Sequence, residues 1–170
     1  MTEPTPDDPA PVAPRILSRA DFAAALLWGV QSATARAARK MWWVDPDFSD
    51  WPLGEPQLLQ ALTSWLRLPQ RRLMLLAADF EEVPRRHPRF DRWRVDWSHA
   101  IEAWTPPGEM AVALPHLLLD DGPMCVQVFD THHWRGRASM DLRIASLLRQ
   151  EVDAVLQRSE PAFPVRQLGL

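Results

Sequence analysis

The stretch Met110–Arg137, MAVALPHLLLDDGPMCVQVFDTHHWRGR, decides how the chain is read. Two apolar runs, Met110–Leu119 and Pro123–Phe129, flank Asp121-Gly122. Asp-Gly between apolar runs is among the strongest short hairpin signals, so the two runs are expected to pair as antiparallel strands. Cys125 falls within the second run and reads as a small core residue. Directly after it come His132, His133, Trp134, Arg135 and Arg137, the densest group of functional side-chain types in the chain. A strand end loaded with polar groups is where an α/β protein tends to place a site.

Downstream, Leu142, Ala145, Leu148, Val152, Val155 and Leu156 recur at helical spacing, which predicts a helix over about Ser139–Gln157 with Ser139 as its cap. Residues 159–170 form a tail whose Phe163, Val165 and Leu168 are suited to docking. Upstream, residues 1–14 carry five prolines and almost nothing apolar, so they are expected to be a disordered tail before a domain over 15–158. Ser18 and Asp21 make a capping box for a helix over Arg19–Arg39, whose face of Ala25, Gly29 and Ala33 is narrow enough to lie closely on a sheet.

Met41–Val44 and Arg72–Ala77 are short apolar runs of strand length, and the second reads as a strand covered on both faces. Between them, Asp45–Glu55 (DPDFSDWPLGE) alternates aspartates with aromatics but lacks the Gly and Glu positions of a calcium loop. It reads as an aromatic-anchored loop with capping acids, followed by a helix from Pro56. A third helix is expected from about Arg89, and a strand at Ile101–Trp104. The alternation predicts an α/β fold, a mixed sheet flanked by helices.

In element order over residues 15–157, and in the local pattern LPHLLLDDG, the chain resembles one half of a phospholipase D-like protein. The runs WWVDPDFSDWPL, HPRFDRW and HWRGRAS also resemble a bacterial domain of unknown function found alone or fused to acetyltransferases. The phospholipase D-like motif is His-x-Lys-x4-Asp-Gly. With Asp121-Gly122 in register, Leu114 stands at the nucleophilic histidine and His116 at the lysine. Leucine cannot attack phosphorus. Moving the register by two restores His116 but sets Leu118 and Pro123 at the other positions. The resemblance therefore implies a non-catalytic, pseudoenzyme module that self-associates, binds a protein partner or binds phosphate. Its alternative is a phosphodiesterase with a centre remodelled on His116, Asp121, His132 or His133 and Arg135. Single halves of this family pair as dimers across the hairpin-bearing edge, so a homodimer is expected.

The remaining chemistry is sparse. Adjacent histidines on an extended segment point to opposite sides, so His132, His133, Asp130 and His116 make a poor metal set. Their simpler role is to satisfy local backbone groups while Trp134 anchors the loop. Arg135 and Arg137, with His116, are the candidate anion ligands near the start of the last helix. No cofactor is expected. Arg85, Arg86, His87, Arg89, Arg92 and Arg94 form the one basic cluster, interleaved with Glu81, Glu82, Asp91 and Asp96. With a net charge of −3, nucleic acid is not expected as a partner. No run reaches the roughly 20 apolar residues of a membrane span, and a cytoplasmic location is expected. Nine tryptophans and no tyrosine suggest large apolar anchors, some of them at an interface.

Overall fold

Two parallel strands, β2 (Lys40–Val44) and β3 (Arg72–Leu76), form the middle of the sheet. Their buried residues alternate between two apolar clusters: Met41, Trp43, Leu73 and Leu75 face one, Val44 and Leu76 the other. The computed structural model describes residues 12–165. The expected disordered tail over 1–14 therefore lies largely outside the described residues, as do the last five positions of the expected C-terminal tail.

The remaining elements, in chain order, begin with β1 (Arg15–Ile16) and α1 (Arg19–Ala35). After β2 comes α2 (Pro56–Leu66), and after β3 come α3 (Glu82–Arg86) and α4 (Pro88–Asp96). There follow β4 (Ile101–Thr105), α5 (Gly108–Ala111), β5 (His116–Asp120) and β6 (Cys125–Asp130). The chain closes with β7 (Arg135–Ser139), α6 (Leu142–Leu156) and β8 (Glu160–Pro161). The eight strands lie in the order β1-β7-β6-β5-β2-β3-β4-β8. β2, β3 and β4 are parallel, while β5 runs antiparallel to β2 and opens an antiparallel half. This is an α/β fold with a mixed sheet flanked by helices.

The larger cluster joins α1, α2, α4 and the aromatic loop to one face of the sheet; the smaller packs α6 on the other. At Gly29 α1 lies close on the sheet: a Cβ there would meet Leu118 Cδ2 at 2.7 Å. Ser18 Oγ accepts from Asp21 N–H at 3.1 Å and Asp21 accepts from Leu17 N–H at 3.0 Å, so the cap works in both directions.

Several expectations need correction. The hairpin pairs as β5 and β6, with Cys125 fully buried opposite Leu119. Its first strand starts only at His116, however, because β2 ends at Val44 opposite Leu117 and offers Met110–Pro115 no neighbour. Those residues form α5 and a turn instead, leaving Val112 89% exposed. The last helix is capped by Asp141, whose side chain accepts from Arg143 N–H, while Ser139 ends a strand. β7 was not expected at all. All nine tryptophans are buried or half-buried within this chain.

Candidate nucleic-acid interface

The Asp45–Glu55 loop is tied by one carboxylate. Asp45 is 3% exposed and its Oδ2 accepts from Asp47 N–H at 3.1 Å and Phe48 N–H at 2.7 Å. Its Oδ1 accepts from Trp51 Nε1 at 2.9 Å and from His116 Nδ1, with the His116 tautomer assigned on that bond. Trp51 then packs against Phe22, Trp43 and Phe48. His87 Nε2 meets the Phe48 carbonyl at 2.8 Å and ties the α3–α4 corner to the same loop. The Asp45 hydrogen bond, followed by partial burial acting the other way, holds the His116 imidazolium above its ordinary value of 6.5.

This knot builds one wall of an open groove of about 890 Å³. The other walls come from the start of α1 and from the α3–α4 corner. Ala20, Ala23 and Ala24 make a shallow floor, and Arg19, Arg86, Arg89 and Arg92 stand around it. All four arginines are exposed, and among the described residues Glu55 is the single carboxylate lining the groove. The first turns of α1, α2 and α4 border it, each presenting the positive end of a helix. α2 and α4 have no side-chain cap, so their first N–H groups have no side-chain acceptor.

The basic cluster divides three ways. Arg85 and Arg86 pair with Glu82, and those two contacts hold its carboxyl below the ordinary value. Arg94 turns inward, stacks on the Phe163 ring at 3.6 Å and donates to the Phe163 carbonyl at 2.8 Å. Arg89 donates to the Gly54 carbonyl at 3.0 Å, which fastens α4 beside α2. Arg92 has no hydrogen-bond or ion-pair partner among the described residues. Because Phe90 and Arg94 point into the protein, Arg89 and Arg92, three apart, share the outward face. Arg19 reaches Asp50 at 4.0 Å and lies over the Trp134 ring, 5.9 Å from its centroid. The sequence shows the cluster but not its union with Arg19, which lies in the first turn of α1.

The residues singled out from the sequence are not brought together. His116 opens β5 and Asp121 follows its last residue, roughly 16 Å apart at about 3.3 Å per residue. Asp121 accepts from Arg39 N–H at 3.2 Å and belongs to the hairpin turn. His132 and His133 are exposed; His133 Nδ1 and Asp130 Oδ2 are 2.8 Å apart, which holds the Asp130 carboxyl low. Arg135 donates to the carbonyls of Leu17 and His133, both at 2.8 Å, and Arg137 to Gln127 Oε1 at 3.4 Å. Both arginines lie along β7, while Asp141 occupies the start of α6 where an anion was expected. Among the described residues no three or more His, Cys, Asp or Glu side chains are placed to hold a metal. No described helix is long and apolar enough to cross a membrane.

No protein-family model matches the chain, and no curated protein matches it in sequence. Its fold is similar to that of TrmBL2, an archaeal chromatin protein described as showing a novel mode of DNA binding, with a TM-score of 0.59 and 10% identity. The match covers 92% of this chain and 57% of TrmBL2, so the chain spans little more than half that protein's length. At this identity the likeness shows the fold alone. It nonetheless overturns the expectation that nucleic acid is not a partner, since this fold occurs in a DNA-binding protein. The reading as a non-catalytic phospholipase D-like pseudoenzyme, and its phosphodiesterase alternative, are withdrawn on the same finding. The physical reason is one of scale: a net charge of −3 averages over the chain, whereas a binding surface is local.

Proposed function

We propose that this chain binds nucleic acid by its sugar-phosphate backbone, seated in the arginine groove. The observation that carries this reading is the set of four exposed arginines around an open groove, of which, among the described residues, Arg86 alone is in a close ion pair, with Glu82. Arginine forks match phosphate oxygens bidentately, and contacts of this kind fix position without reading sequence. The likeness to a chromatin protein described as binding DNA supports the same direction. The cytoplasmic location expected above stays part of the proposal, in keeping with Cys125 as a free, buried thiol.

Fluorescence anisotropy with a labelled duplex of arbitrary sequence at low salt tests it. Arg19→Glu with Arg92→Glu should weaken binding by roughly tenfold or more. Neither change removes a hydrogen bond, and an acid at position 19 suits the first turn of α1. Arg143→Glu on α6, across the sheet, should leave affinity unchanged. A wild-type chain that fails to bind, or a groove variant that binds as well, rejects the interface.

A further inference from the structure

On the other face of the sheet lies a second cavity, of about 300 Å³, with none of the groove's arginines. Val44 and Leu76 close its inner end. These are the last residues of parallel β2 and β3, beside the point where β5 turns the sheet antiparallel. Ligands of open α/β sheets bind outside the carboxyl ends of the strands. Leu114 and Leu117 from the β5 approach, and Val152 and Val155 from α6, complete an apolar wall. Among the described residues the only ionisable side chains lining it are Glu109 and Glu151. Both are exposed. Glu109 is partly neutralised by Arg158 Nη2 at 3.3 Å, while Glu151 has no ion-pair partner among the described residues.

We propose that this cavity binds a small organic cation with an apolar body, an amine or quaternary ammonium on a short hydrocarbon chain. The hydrocarbon fills the space between the sheet and α6, and the cation stays at the rim beside Glu151. The chemistry follows from the lining. An apolar cavity of this size suits a small hydrophobic body, and two rim carboxylates repel an anionic head. Entry needs a movable wall, and α5 supplies one: it is four residues long and none of its side chains is buried. Segments with so few buried contacts open at low cost. The proposal is independent of the arginine groove.

Titration of the full chain with hexyltrimethylammonium, hexanol and hexanoate, followed by methyl NMR shifts of Val44, Leu114, Leu117 and Val152, tests it. The ammonium should saturate those shifts at lower concentration than either competitor. Glu151→Gln, an exposed change, should weaken it roughly two- to fivefold, the range of a solvent-screened ion pair. Val155→Trp should fill the cavity and abolish the shifts. If that variant does not fold, the ligand order and Glu151→Gln still decide. Equal binding of hexanoate, an unaltered Glu151→Gln affinity, or no saturable shift at those methyls overturns the proposal.

Discussion

At position 116 a histidine meets the carboxylate that organises the aromatic loop, and the pair makes the loop sensitive to pH. Asp45 is buried and accepts four hydrogen bonds, so its charge has no solvent to fall back on. The His116 imidazolium is favoured over its ordinary value chiefly by that hydrogen bond. A raised folded-state value means that the stabilisation is fully present below 6.5 and is lost as pH rises through the folded value. His116→Gln offers a neutral amide donor and removes the titratable charge together with the ring. The melting-temperature gap between wild type and His116→Gln should therefore be widest below pH 6.5 and close as the solution becomes alkaline. Taking the difference removes the contributions of the other four histidines. A gap that does not change with pH would show that the charge on His116 plays no part.

β7 is the element least visible in the sequence and the one that joins β1 to the sheet. Its sequence, RGRAS, has no apolar alternation, because Arg135 and Arg137 are exposed and the strand is held by ladder bonds to β6 and β1. Gly136 is central to it: a Cβ there would run into the Gln127 carbonyl and lie 3.1 Å from Val128 Cα, both backbone atoms. Backbone cannot step aside as a side chain can. Gly136→Ala should cost about 2 kcal/mol, read as a lower denaturation midpoint at unchanged slope. A variant as stable as wild type would mean that the two strands can separate freely there. The elements the sequence did reveal are those whose burial is periodic. Leu58, Leu59, Leu62, Trp65 and Leu66 mark α2, and the run RLMLL marks a strand buried on both faces. Met110–Pro115 misled for the converse reason: its residues are apolar, but where β2 ends they have nothing to pair with. The candidate site was legible only in part. Arg89 and Arg92 show helical spacing, whereas Arg19 joins those two arginines through tertiary packing alone, and Asp45 and His116 meet across 71 positions.

The whole molecule carries an excess of negative charge, and that limits how the groove can work. The long-range field does not draw a polyanion in, so binding must come from short-range contacts at the groove itself. Among the described residues four arginines line the groove and can contact phosphates. Each neutralised phosphate of a duplex releases condensed counterions and contributes about −0.9 to the slope of log K against log salt. Two to four contacts therefore predict a slope between about −2 and −4. Arg92→Ala should make it shallower by roughly one unit, because a single contact is lost. Affinity at physiological salt should fall in the range of sequence-independent binding, about 10⁻⁴ to 10⁻⁶ M, and should not distinguish one duplex sequence from another. A slope near zero would place recognition in contacts other than phosphate and reject the groove. A slope steeper than about −5 would require more cations than the groove holds, and would move the interface elsewhere on the surface.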